Sequence, residues 1–265
     1  MMKITALVEN TSDGNAKAVH GLSFYIETEK HKILFDLGPD NTLFENAERK
    51  NVDLSAVDTV VISHGHVDHG GALKRFLKIN KTAKVYIQKS AYEPHYSKVL
   101  FLKVYIGLDK DTMGNENIIL LDGDFRIDDE LLLFVSKAED KIKSEANRAL
   151  LSGNEPDDFR HEQNLLISEN KTVLFTGCSH SGVIAILESL GNIRPDFCIG
   201  GFHVYNPVSR KTVSEKQLRE LSSALEEYAD VSFLTCHCTG KKAYDYLSRR
   251  HKNIGYFACG TTLDA

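Results

Sequence analysis

A chain of 265 residues, 42% apolar and 26% charged, is long enough to bury a sizeable core and has the composition of an ordinary soluble protein. A net charge of −5 without a long basic run speaks against a nucleic-acid partner, and no segment approaches the roughly 18 continuous apolar residues of a membrane span. The first apolar stretch is too short for a signal peptide, and five cysteines, at 178, 198, 236, 238 and 259, do not make a disulfide framework, so a cytoplasmic setting is expected.

Lys3–Val8 reads as a strand, with 22–28 and 31–37 as a hairpin around Glu29-Lys30. Asp36, leaving a buried strand two residues before Gly38, is either a turn former or a group that orients a nearby ligand. Residues 43–49 fit a short helix and 57–62 an apolar strand rich in β-branched side chains. Then comes Ser63-His64-Gly65-His66-Val67-Asp68-His69-Gly70-Gly71, followed by a helix over 72–79 with Leu73, Phe76 and Leu77 on one face. The histidine cluster therefore sits at the C-terminal end of a strand and opens a helix, the place where α/β folds build their sites.

Residues 84–88 form a further strand. The aromatic segment 92–114, with Tyr92, His95, Tyr96, Phe101 and Tyr105, is either an irregular helix or a lid over the site. Strands are expected at 117–121 and 131–136, and the polar segment 138–158 reads as a loop bordering the substrate. A hairpin over 164–168 and 172–176 runs into Gly177-Cys178-Ser179-His180-Ser181-Gly182 and a helix closed by Gly191 as C-cap. The strand 197–199 ends at Gly200-Gly201-Phe202-His203. Ser214 and Gln217 form a capping box for a helix with Leu218, Leu221, Leu225 and Tyr228 on one face. A strand over 231–235 leads to Cys236-His237-Cys238-Thr239-Gly240, a helix over 241–249 and a strand over 254–258. Strand, His-bearing loop and helix thus occur at 57–79 and again at 172–190. Two β-rich halves backed by helices fit an α/β sandwich formed as a single domain over 1–265.

Three imidazoles and a carboxylate within one short loop are costly to pack unless a cation holds them, and these ligand types suit zinc, iron and manganese. The spacing of His64 and His66 lets both converge on one ion, while Asp68 and His69 point to a second position. Two adjacent ions acidify a water and clamp the attacking and leaving oxygens. His161, His180, His203 and His237 lie on other loops beside strands or helices. By contrast, His31, His95 and His251 fit surface or satisfied core positions. His203, after a double Gly, is a proton donor, a substrate contact or a helix-capping loop residue. The Cys236/Cys238 pair around His237 fits a structural role better than a redox one.

The run His64-x-His66-x-Asp68-His69, between an apolar strand and Gly70-Gly71, resembles the signature of the metallo-β-lactamase superfamily. That resemblance implies a four-layer αββα sandwich with a two-metal site along the edge between its halves. Ile33-Leu34-Phe35-Asp36-Leu37-Gly38 is similar to the superfamily's first motif, in which the Asp supports the ligand loop without binding metal. Glu9-Asn10, His20-Gly21-Leu22-Ser23, residues 176–182, Gly200-Gly201-Phe202-His203 and His237-Cys238-Thr239-Gly240 resemble the branch labelled dihydropterin-methyl-ribofuranosyl-aminobenzene-phosphate synthase-like. Where most superfamily members carry Phe-Thr-Gly-Asp, with a bridging Asp, this chain has Phe175-Thr176-Gly177-Cys178. Cys178 is either a bridging thiolate or a buried small residue.

The resemblance implies His64, His66, Asp68, His69, Cys178, His180 and His237 as metal ligands, with His180 completing the first position and His237 serving the second. Two divalent ions are expected, zinc first, with iron or manganese as alternatives. Asp68 as base and His203 as acid would then serve a hydrolase acting on a small phosphate- or ester-bearing metabolite. Its partner is a small molecule, with neither nucleic acid nor membrane involved and the oligomeric state open. The alternatives are a diiron oxygen- or nitric-oxide-reducing protein on the same fold and a non-catalytic metal-binding protein.

Overall fold

Alternate residues of the first-half strands are apolar on both faces. Ile4, Phe24, Ile26, Ile33, Phe35, Val61 and Tyr86 point one way, and Leu7, Tyr25, Leu34, Val60, Ile62, Val85 and Ile87 the other. A strand with period-two burial on both sides has to be covered on both sides. In the computed structural model, which describes residues 1–265, it is. The first face meets a second sheet through Leu131, Leu133, Leu165, Ile167, Val173, Phe175 and Ile199. The other packs on Leu43 and Ala47 of the helix Thr42–Arg49 and on Leu73, Phe76 and Leu77 of the helix Leu73–Ile79. The outer face of the second sheet, with Leu166, Leu174, Cys198 and Phe233, is covered by the helices Val183–Glu188, Glu215–Leu225 and Lys241–Ser248. The result is the expected helix–sheet–sheet–helix sandwich.

Each sheet has seven strands, and the two are built alike. In the first, Thr262–Asp264, Lys3–Val8, Ser23–Glu27 and Lys32–Phe35 pair antiparallel, and Thr59–Val61, Lys84–Gln88 and Ile118–Leu121 continue in parallel. In the second, Ile254–Tyr256, Ser232–Thr235, Phe197–Gly200 and Thr172–Phe175 are parallel, while Asn164–Ser168, Leu131–Phe134 and Phe125–Arg126 complete it antiparallel. Lys32–Phe35 and Thr59–Val61 in one sheet, and Thr172–Phe175, Phe197–Gly200 and Ser232–Thr235 in the other, each run directly into a loop that carries a singled-out Asp, His or Cys. No helix is long and apolar enough to cross a membrane.

Four elements differ from expectation. Segment 92–114 is no irregular helix: His95–Val99 and Leu102–Tyr105 form a hairpin in a separate four-stranded sheet. Its Ser97 and the following Ile106 wall the site cleft, so the position expected of a lid is taken by strands. Segment 138–158 is only partly loop, because Glu145–Ala149 is a short 3-10 turn and Leu150–Ser152 pairs with His95–Val99. The capping box is half made. Ser214 Oγ accepts from Gln217 N at 3.3 Å, but Ser214 N donates to Glu145 Oε2, because the Gln217 amide is engaged by residues 142, 143 and 145. Finally, Thr262–Asp264 is a strand that the sequence pattern did not flag, and it leaves the second half to join the first sheet.

Phe175 ties the two sheets together, its ring 6.1 Å from Phe24 and 5.9 Å from Phe35 in the mid-plane. Phe175→Ala leaves a cavity there and is expected to cost about 3–5 kcal/mol. The check is the denaturant midpoint, which should fall with an unchanged slope.

Candidate metal centre

Asp36 is wholly buried at the end of Lys32–Phe35, with φ 60°. Its carboxylate accepts from Ser63 N and Ser63 Oγ at 2.7 Å each and from His69 Nδ1 at 2.6 Å. Both its oxygens are taken by these donors, and it thereby fixes the loop after Thr59–Val61. Because His69 donates through Nδ1, its Nε2 presents a lone pair to the site.

The same device recurs on the other ligands. Asn10 brackets His237: its Oδ1 accepts from Nδ1 at 2.8 Å, and its Nδ2 donates to the His237 carbonyl at 3.2 Å. Asn147 brackets His180 in the same way, at 2.9 Å on both sides. His64 Nδ1 lies 2.8 Å from Ser63 Oγ. Nε2 of His64, His66 and His180 is buried with no hydrogen-bond partner. A buried polar atom without a partner costs about 1–3 kcal/mol, so three together mark a place for a ligand. Burial first, then the neighbouring imidazoles, push these three rings well below their ordinary value. They are therefore neutral, the form that binds metal.

The second position is set by distances. His69 Nε2 lies 3.3 Å from His237 Nε2, His237 Nε2 3.3 Å from Asp68 Oδ2, and His69 Nε2 3.8 Å from Asp68 Oδ2. Two imidazole lone pairs and a carboxylate at this range repel, and a cation among them reverses the sign. Donors held about 2.1 Å from one tetrahedral zinc stand about 3.4 Å apart, so the donor set fits such an ion. Burial at His69 is outweighed by Asp36 and Asp68, which hold the ring above its ordinary value, so a proton competes with a cation for its Nε2.

Cys178 belongs to both donor sets. It groups with His64 and His180 and with His69 and His237, with ligand atoms within 4.8 Å of one another in each case. Its Sγ is 3.3 Å from His69 Nε2. His66 stands a little apart. Its ring packs edge-on to His64 and His180 at 4.6 and 5.0 Å, and its closest donor group is with His95, Asp157 and His161. His95 is nonetheless the satisfied core residue expected of it, buried with Nδ1 2.9 Å from Asp157 Oδ2 and Nε2 3.2 Å from the Ser90 carbonyl. His161 supports the loop, accepting from Gly65 N at 2.9 Å while its Nε2 faces Asp157 at 3.2 Å. Of the flanking cysteines, Cys236 lies in the core between the sheets, whereas Cys238 groups with Cys178 and His203.

His203 is buried with both ring nitrogens unpartnered, 4.1 Å from the His180 ring. It does not cap a helix. Asp36, Ser179, His203 and His237 are non-glycine residues at φ 60°, 56°, 46° and 49°. Such backbone costs about 1–2 kcal/mol each and gathers where function needs a side chain aimed. Over these groups opens a cleft of roughly 320 Å³, walled by Val67, Ile106, Ala146, Leu150, Pro207 and Val208.

Glu9, Asn147 and Glu162 carry no role in the sequence reading. Glu9 Oε1 accepts from His237 N at 2.6 Å, and Glu162 accepts from His180 N at 2.7 Å and Ser181 N at 2.9 Å. Glu9-Asn10 is conspicuous as a polar pair ending a buried strand. Asn147 gives no local signal.

The model of the metallo-beta-lactamase superfamily matches residues 16–216. Over 260 residues the chain is 31% identical to an uncharacterised protein of Methanocaldococcus jannaschii, covering 94% of each. A second relative from that organism, 7,8-dihydropterin-6-methyl-4-(beta-D-ribofuranosyl)-aminobenzene-5'-phosphate synthase, is 27% identical over 282 residues, with 95% of this chain and 92% of that protein aligned. A crystal structure described as a metal-dependent hydrolase of the beta-lactamase superfamily superposes with a TM-score of 0.82 at 25% identity, covering 100% of this chain and 99% of that one.

Asp36→Ala removes an orienting group without removing a donor, and is expected to weaken metal binding by about 10–100-fold. Competition with a chelator measures this, and an unchanged affinity would contradict the role assigned to Asp36. Cys178→Asp, which restores a carboxylate between the two donor sets, should keep the wild-type metal-to-protein ratio by elemental analysis.

Proposed function

Because the chain belongs to the metallo-beta-lactamase superfamily, we propose that it is a metal-dependent hydrolase acting on a small phosphate- or ester-bearing metabolite, with two divalent ions, zinc first among them. The observation that carries this reading is the convergence of two donor sets on Cys178 at the floor of an open cleft. A purely structural zinc site needs four closed ligands and no cleft. The relative named as a 5'-phosphate synthase supports a phosphate on the substrate. Ligands drawn from both sheets support one functional domain over 1–265, and five free, buried cysteines support a reducing, cytoplasmic setting.

The chemistry the ions supply when bound is polarisation of the substrate oxygen and acidification of a water. The remaining work falls to side chains. His64, His66 and His180 would hold the first ion and Asp68, His69 and His237 the second, with Cys178 belonging to both donor sets. Asn10, Asn147 and Asp36 hold the ligand rings in one tautomer. Burial opposes charge on Asp68, but His69, His20 and His237 outweigh it and keep the carboxyl well below its usual range. It is therefore ionised at neutral pH, the form that a ligand and a proton acceptor both require, although the same lowering weakens it as a base. His203, unpartnered and facing the cleft, gives a proton to the leaving group.

His203→Ala is expected to lower kcat by about 10²–10⁴-fold with the metal-to-protein ratio unchanged. A panel of lactone, thioester and phosphodiester substrates on metal-loaded protein provides the measurement. Full metal occupancy with no turnover of any hydrolysable substrate would defeat the hydrolase reading.

A further inference from the structure

The hairpin of Tyr205–Asn206 and Lys211–Thr212 stands between two cavities. On one side Asn206, Pro207 and Val208 wall the metal cleft. On the other, Tyr205, Arg210 and Lys211 wall a second cavity of roughly 560 Å³. His237 borders both, and Asn10, which clamps it, lies on the wall of the second.

The two cavities differ in charge. The residues lining the metal cleft include no Lys or Arg. The second cavity has Arg210, Lys211, Lys241 and Lys242 and no Asp or Glu. Lys241 alone has a carboxylate partner, Asp245 Oδ1 at 2.8 Å. The other cations are unpaired, on a chain of net charge −5. Elsewhere Lys74, Lys89 and Lys137 each sit against an Asp. Glu9 lies behind the wall, engaged by Thr11, His237 and Tyr256, but Arg210, Lys211 and Lys242 have no carboxylate partner of their own; such like charges repel, and an anion among them relieves the repulsion. The hydroxyl of Thr212 adds a donor around the same space.

We propose that this cavity is the subsite for the anionic end of the substrate, a phosphate monoester, held while the bond to be hydrolysed lies in the cleft beyond His237. This rests on the hydrolase reading and adds to it the place of the phosphate, which is the cationic cavity and not the ions. Arg210 offers a planar fork that takes two phosphate oxygens at once, and the lysines act as point charges. The scissile bond is then a different one, remote from the phosphate.

The test is isothermal titration of the metal-loaded full chain with ribose 5-phosphate, and with ribose as the neutral control. Wild type should bind the phosphate, more weakly as salt is added, and should not bind ribose. Arg210→Gln with Lys242→Gln should weaken phosphate binding at least about tenfold, with metal content and melting temperature unchanged. Lys242→Glu is a second variant with the same expected direction. Equal affinity in wild type and variants, as when phosphate sits on the ions, overturns the proposal, and so does absence of binding to wild type at millimolar concentration. Turnover is not read here. A protein that hydrolyses nothing defeats the hydrolase reading, while the titration still decides where phosphate binds.

Discussion

A carboxylate with no solvent exposure, accepting three hydrogen bonds, holds the centre of this molecule. Asp36 ends one strand, and through Ser63 and His69 it grips the loop that ends the next. A buried charge of this kind survives only when its oxygens are fully engaged. The loop can therefore occupy one conformation that satisfies the carboxylate, and in that conformation His69 Nε2 and His64 Nε2 face inward. The left-handed backbone at Asp36 is tolerated for the same reason: the hydrogen bonds outweigh its cost.

The ligands of the second half, His180 and His237, are held at the backbone N–H by Glu162 and Glu9 and at the ring by neutral amides. Asn10 and Asn147 each join a ring nitrogen and the carbonyl of the same histidine, so position and tautomer are set together. The glycine between His64 and His66 has a steric cause. A Cβ at Gly65 would lie 2.5 Å from the Ala91 carbonyl and 2.8 Å from the His95 ring. The loop is pressed against the hairpin that walls the cleft, and its Gly65 N–H is held by His161. Ligand loop and cleft wall are therefore parts of one packed unit.

Much of this was legible in the sequence because its signals are local. Short apolar runs marked nearly every strand of the two large sheets, and the His-x-His-x-Asp-His run stood out by composition. Illegible parts depend on distance or on exposure. Asn147 clamps His180 from 33 residues away, and no spacing announces that. The hairpin His95–Val99 and Leu102–Tyr105 escaped because Leu102–Tyr105 is exposed throughout, so burial imposes no alternation on it. The cationic cavity was hidden because Arg210-Lys211 and Lys241-Lys242 are only modest basic pairs until the fold brings them together.

The strand Thr262–Asp264 crosses from the second half to pair with Lys3–Val8, and Thr5 and Thr262, hydrogen-bonded through their hydroxyls, are 257 residues apart in sequence. At the usual pace of synthesis, that separation is roughly ten to fifty seconds of translation. For that interval the outer edge of Lys3–Val8 has no partner, and an unpaired β-edge invites other chains. The first sheet, the earliest to emerge from the ribosome, is thus among the last to be sealed. Its exposure to chaperones and to aggregation is set by the time needed to synthesise the rest.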